Sequence, residues 1–340
     1  MNSEMIAALG YLVVAGAMNS AYTLPLKLKL SWKWENMWLA FTLLGVCVVP
    51  SALGTLTIPD FWSLYGQAKP SLVLILALSG ITWGISLLLF GLAVDAVGVA
   101  VTFAIVMGVS AGFGALLPLL VNGFGGLPLR TGLIISLGVA LTALGVALCG
   151  AAGRQREKDE ALKAEAVRPS FFRGFIFAVL SGICGSMLNI GLAAGSALMD
   201  AARQHGASAR MAITAAWVPV LLAGAVPGFI YCGYLLRKNQ SGREYLPLHT
   251  LPYWFLALAM GVLWFGSVVL YGWATLRIGD LGAVLGWPLF MVTIVLGSAL
   301  WGVVTGEWKN ASGRARILMG SAVGVLAVAI IVLTSARAST

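Results

Sequence analysis

Charge is what this chain has least of. Asp, Glu, Lys and Arg make up 10% of its 340 residues, against about 25% in ordinary soluble domains. A soluble fold this poor in charge would lack a hydrated surface. Histidine is scarce too: His205 and His249 both lie outside the apolar runs, so neither suits a proton relay within one. The four cysteines, Cys47, Cys149, Cys184 and Cys232, stand singly in or beside apolar runs and form no C-x-x-C pair. That pattern argues against disulfides, a structural metal or a bound cofactor, and reads as small packing residues. The sequence also lacks H-E-x-x-H, paired Asp within a run and the phosphate loop G-x-x-x-x-G-K-[ST]. Intramembrane hydrolysis and ATP-driven work are thereby set aside, and no enzyme is expected. Carboxylates avoid the middles of the runs. Asp95, Asp200 and Asp280 sit at run ends, and Glu35 and Glu307 are expected in loops. No residue offers itself as a proton carrier at mid-membrane.

What the chain has is hydrocarbon: 60% of its residues are hydrophobic, in long runs. About 20 apolar residues suffice to cross a bilayer core as a helix, and the alternation of a β-barrel is absent. The runs predict spans at 5–26, 37–57, 72–94, 98–121, 131–151, 172–198, 211–235, 252–276, 280–304 and 315–334. The first has no basic segment before it and is too long for a signal peptide, so it counts as a helix. The expected fold class is an all-α membrane protein of about ten transmembrane helices. The polar stretch 154–170 divides it into five-helix sets at 1–153 and 171–340. Lys and Arg number 15 on the side that holds this linker and 6 on the other. The excess puts the linker in the cytoplasm and both termini in the periplasm of an inner membrane. Such loops also account for the net charge of +9 without a nucleic-acid partner, since no polybasic face accompanies it.

An odd number of helices per set makes the two sets inverted repeats. Internal similarity agrees. At an offset of 181, Gly80, Trp83, Gly91, Ala93 and Gly98 recur as Gly261, Trp264, Gly272, Ala274 and Gly279. Gly16 and Ser20 recur as Gly182 and Ser186. Inverted repeats are a common transporter plan, with substrate held near the midplane. Gly80-x-x-x-Gly84, Gly108-x-x-x-Gly112, Gly191-x-x-x-Gly195 and Gly282-x-x-x-Gly286 are small-residue motifs that let helices approach closely.

Polar side chains inside the runs need partners, or a wet cavity. Asn19, Ser20, Trp83, Ser186, Asn189, Trp264, Tyr271 and Trp287 stand in corresponding places of the two halves. Amides and hydroxyls can bond sugar hydroxyls, and indole faces can stack on a pyranose ring, so these eight are the candidate substrate residues. The competing reading is that the hydroxyls bond their own helix carbonyls and the indoles anchor at the interface.

The string Pro25-Leu-Lys-Leu-Lys-Leu-Ser-Trp32-Lys-Trp34-Glu35-Asn-Met37-Trp38 resembles the L-rhamnose–proton symporter family of the drug/metabolite transporter superfamily. Ile58-Pro59-Asp60-Phe61-Trp62, Trp83-Gly84-Ile85, Leu263-Trp264, Trp287 and Glu307-Trp308-Lys309-Asn310-Ala311 follow in the family's order. The resemblance implies a carrier that imports L-rhamnose or a related deoxy sugar with a proton or sodium ion by alternating access. Leu87, Leu89, Phe90, Ala283 and Phe290 are apolar where the family pattern is polar, which leaves the particular sugar and ion open. Two alternatives stand beside this reading: an exporter of the same superfamily, and a membrane sensor that binds solute without moving it.

Overall fold

A computed structural model describes residues 3–28, 31–97, 99–122, 128–161, 171–304, 306, 308–309 and 311–336. These residues are helical with no strand among them. The long helices, in chain order, are α1 (Ser3–Ala21), α2 (Trp34–Thr57), α3 (Pro70–Val97), α4 (Val99–Asn122) and α5 (Leu129–Ala161). They continue with α6 (Phe171–Ala194), α7 (Ile213–Lys238), α8 (Leu251–Ile278), α9 (Gly282–Val304) and α10 (Gly313–Ala336). Nine of the ten are long and apolar enough to cross a membrane over their described residues, and α4 adds the shorter apolar stretch Ile105–Leu116. Outward-facing side chains are oily rather than charged. Leu133, Leu137 and Leu144 of α5 and Ile317 and Ile331 of α10 are exposed, as lipid contact requires.

The ends differ from expectation in ways that local chemistry explains. α1 stops at Ala21, and Pro25 sits in a separate turn of 3-10 helix, Leu24–Lys27. α2 carries a π-helical segment, Thr42–Val48, just ahead of Pro50. Proline has no N–H to return to the preceding turn, and a wider turn absorbs the break. The sixth run ends at Ala194, and a short helix, Ser196–Gln204, follows. α8 and α9 are joined by a tight turn in which Gly279 takes φ +83°, a conformation that L side chains rarely adopt. Its repeat counterpart, Gly98, lies outside the described residues. So do positions 162–170 of the expected linker and Glu307; positions 154–161 continue α5 as helix.

The chain forms two compact units. The first comprises Met1–Ser20, Leu89–Ser186 and Trp273–Thr340; the second comprises Ala21–Leu88 and Met187–Gly272. Each draws on both sequence halves. The first is built mainly of α1, α4, α5, α6, α9 and α10, and the second mainly of α2, α3, α7 and α8.

In the first unit, α5 and α10 are fitted through glycine: a Cβ on Gly138 would lie 2.5 Å from Leu333, and one on Gly145 would lie 2.6 Å from Leu326. Gly16 of α1 packs on Thr293 of α9, and Gly182 of α6 packs on Val106 and Val109 of α4. These are crossings between matching helix positions of the two halves. Glu4 and Arg277 form an ion pair at 2.7 Å, and Arg156 lies over the Trp308 ring.

In the second unit, a Cβ on Gly80 of α3 would meet the Val220 carbonyl of α7 at 2.0 Å. One on Gly261 of α8 would meet Gly45 of α2 at 2.3 Å. Gly80 and Gly261 are the pair 181 residues apart, and each brings its helix into backbone contact with a helix of the other half. Bare backbones at such crossings gain dispersion and Cα–H contacts where lipid supplies no hydrophobic drive. By contrast, Gly108 and Gly112 meet neighbours only at 3.7 Å, which is ordinary contact.

Candidate functional site

The second unit holds most of the polar and aromatic chemistry. Trp83 of α3 and Trp264 of α8 are both buried, and their rings stack on each other, with centroids 5.4 Å apart and planes 23° from parallel. Gly224 of α7 packs against the Trp83 ring, where a Cβ would come within 2.6 Å of it. Phe41 of α2 meets Trp264 edge-on. In this state the two indoles therefore present their faces to one another. Their surroundings repeat: Ser86 Oγ donates to the Trp83 carbonyl and Ser267 Oγ to the Trp264 carbonyl, both at 2.6 Å.

Two turns after Trp264, the Tyr271 hydroxyl donates a short hydrogen bond to Oδ1 of Asn189 on α6. Both residues are fully buried. Trp217 of α7 leans against the Tyr271 ring with centroids 6.4 Å apart. The Trp217 Nε1–H is buried and has no hydrogen-bond partner, and neither has Thr214 Oγ1 one turn earlier on the same helix. A buried donor without an acceptor is costly, and such groups in native folds call for an explanation. Gly272 lies beside this N–H, and the room its missing side chain leaves is filled by Ile213, whose Cδ1 would stand 2.2 Å from a Cβ there. Trp217 and Thr214 were not singled out in the sequence, because neither recurs at the repeat offsets and a lone indole in an apolar run looks like core. Only the hydrogen-bond inventory of the fold marks them.

The other candidates lie in the first unit. Ser20 Oγ donates to the Ala17 carbonyl at 3.0 Å, and Ser186 Oγ to the Ile183 carbonyl at 2.7 Å. The two matched serines thus make the same bond, of the kind the competing reading anticipates, and both keep oxygen lone pairs for a further donor. Asn19 is half-buried one residue before Ser20. Trp287 of α9 is buried, and its N–H goes to the Ser110 carbonyl of α4 at 3.0 Å, with Ser110 Oγ at 3.3 Å. Gly114 clears the room for that ring. Trp287 therefore pins α9 to α4 and has only its ring to offer a ligand.

The Trp-rich string also has a structural account, again within the second unit. Trp32 is buried among Tyr245, Tyr253 and Trp254, and its N–H donates to the Glu244 carbonyl at 2.8 Å. Asn36 Nδ2 donates to the Ser241 carbonyl at 2.9 Å, and the Tyr245 hydroxyl to the Asn36 carbonyl at 3.0 Å. Glu35, expected in a loop, is instead buried in the first turn of α2. Burial pushes the Tyr245 hydroxyl up to about 12 from 10.0, so it is a neutral donor at ordinary pH. Trp34, Trp38, Phe41, Trp264 and Trp83 then form a continuous file of ring contacts.

A family model for the L-rhamnose-proton symport protein (RhaT) matches residues 1–337. The chain is 27% identical to proteins named L-rhamnose-proton symporter from Salmonella dublin, Salmonella enteritidis PT4 and Salmonella gallinarum. Each alignment covers 97% of this chain and 98% of the relative.

Proposed function

The chain belongs to the L-rhamnose-proton symport protein family, and from that premise we propose that it imports L-rhamnose or a related deoxy sugar together with a proton. The observation that carries this reading is the match over nearly the whole length of the chain. It is a multi-pass membrane transporter and not an enzyme.

For the substrate site, the support is chemical. A sugar hydroxyl oxygen is an acceptor of the kind that Trp217 Nε1–H and Thr214 Oγ1 lack. Asn189 and Tyr271, already ordered by their mutual bond, supply amide and phenol partners beside them. Trp83 and Trp264 supply the apolar surface that a deoxy sugar also needs. Parting the stacked pair would uncover indole faces for the ring, so the closed pair is read as an occluding state within an alternating-access cycle. For Asn19, Ser20, Ser186 and Trp287 the substrate assignment rests on the sequence pattern. The proposal of two inverted repeats draws support from the matched local bonds of Ser20 with Ser186 and of Ser86 with Ser267. The charge asymmetry of the loops supports periplasmic termini.

Counterflow in proteoliposomes tests the substrate. Vesicles loaded with unlabelled L-rhamnose are expected to take up labelled L-rhamnose, with other deoxy sugars exchanging less well and D-glucose not at all. Absence of exchange with every deoxy sugar refutes the reading, and a requirement for sodium replaces the proton.

A further inference from the structure

Among the carboxylates whose side chains are described, Glu35 is the only one that is buried. Glu4 and Asp200 pair with Arg277 and Arg203, Asp60 and Asp280 are exposed, and Glu244 is half-buried. Glu35 has an unusual set of partners for a buried acid. Asn239 Nδ2 and Ser241 Oγ both donate to its Oε1, at 2.9 and 2.7 Å. No Lys, Arg or His makes an ion pair with it among the described residues. Neutral donors make a practical difference. A carboxylate tied to a buried cation cannot take a proton without stranding that cation. One held by an amide and a hydroxyl can.

The partners also lie far away in sequence. Glu35 opens α2, while Asn239 and Ser241 belong to the turn between α7 and α8. Four further bonds fasten the same two segments: those of Trp32, Asn36 and Tyr245 given above, and Lys33 Nζ to the Asn239 carbonyl at 3.1 Å. Both bonds to Oε1 are charge-assisted, and such bonds weaken to the neutral kind when the acid is protonated. Gln240, between the two donors, has φ +52°, so the turn is held in a left-handed conformation that L side chains rarely take. The titratable groups near the carboxylate are Lys33 from its own segment, and Cys232 and Tyr245 from the facing one. Tyr245 stays neutral, and Lys33 is exposed and engaged with Asn239. Lys33 and Trp34 flank Glu35 at the surface, so a proton from water has a short path.

We propose that Glu35 is the residue that takes up the co-transported proton, and that its protonation loosens the fastening between the start of α2 and the α7–α8 turn. This rests on the symport reading above, since a carrier that moves sugar alone would need no such group.

The test pairs transport with a spectroscopic readout. In proteoliposomes, Glu35→Gln is expected to keep L-rhamnose counterflow near the wild-type rate. Accumulation driven by an imposed pH gradient should fall by roughly tenfold or more, within the usual range of coupling between two ligands. Full pH-driven accumulation by Glu35→Gln overturns the proposal. In infrared difference spectra of the purified protein, acidification should raise a protonated-carboxyl band in the wild type that Glu35→Gln lacks. If the same band persists in the variant, the titrating acid is another residue and the assignment is wrong. Should Glu35→Gln fold poorly, Ser241→Ala removes one donor from the charged form and is expected to move the band's midpoint to higher pH; an unmoved midpoint counts against the assignment. The infrared readout needs no sugar. A wild type that fails counterflow but shows the band sinks the sugar reading while leaving Glu35 as the titrating group.

Discussion

Trp217 carries a hydrogen-bond donor that the fold leaves unused. Replacing it by Phe removes the orphan N–H and keeps a ring. The smaller ring leaves a cavity that lowers stability, and the unmet donor adds nothing to that loss, while sugar loses a bond of about 1 kcal/mol. The expected result is a half-saturation concentration raised about fivefold, alongside the lower melting temperature that the cavity brings. A fall in melting temperature with unchanged affinity would mark Trp217 as core. Tyr271→Phe should cost stability of about 1 kcal/mol, because Asn189 loses a buried donor, and should weaken sugar binding as well, because the phenol is one of the proposed partners. Tyr245 gives a pH prediction. Its hydroxyl is raised in the folded state from 10.0 to about 12, so its contribution is intact below pH 10 and is lost as pH rises through that window. Melting curves from pH 9 to 12 should show an alkaline decline that Tyr245→Phe lessens. At this scale the sequence was only partly legible. The matched pair Trp83 and Trp264 stood out through the repeat, but their mutual stacking did not. Glu35 looked like a loop acid because Lys33 lies two residues away, and the donors that bury it come from about 200 positions further on.

Helices here meet through missing side chains. Gly80 leaves no room for a methyl group, since a Cβ would sit 2.0 Å from the Val220 carbonyl oxygen. Gly80→Ala must push α3 from α7, at a cost of about 1–3 kcal/mol or more. The lowered melting temperature should be measured in detergent, with Gly10→Ala as the comparison. Gly10 has nothing within 4 Å of its Cβ position, and alanine is the better helix former, so that variant should match or exceed the parent. Equal loss at both positions would contradict the packing described. Hydropathy and length sufficed to find ten helices, because in lipid every backbone group must be bonded within its own segment. They could not tell Gly80, at a backbone crossing, from Gly108, which has ordinary contacts. A G-x-x-x-G spacing fixes one face of a helix and says nothing of which helix lies against it.

For the whole molecule, each compact unit takes corresponding helices from both halves, α2 and α3 with α7 and α8, and α1, α4 and α5 with α6, α9 and α10. The 181-residue echo predicts two related halves, yet it does not say how their helices are shared out between the two units. The proposed orientation rests on Lys and Arg alone. A reporter fused after α10 should be active only in the periplasm, and cytoplasmic activity would reverse the topology. The central claim, sugar moving with a proton, has a direct test. L-rhamnose is added to lightly buffered, de-energised vesicles that hold the protein, and the external pH is followed. The account predicts that the medium turns alkaline on addition, with no change for D-glucose or for empty vesicles. Rhamnose entry with the pH unmoved, or with acidification, would contradict it.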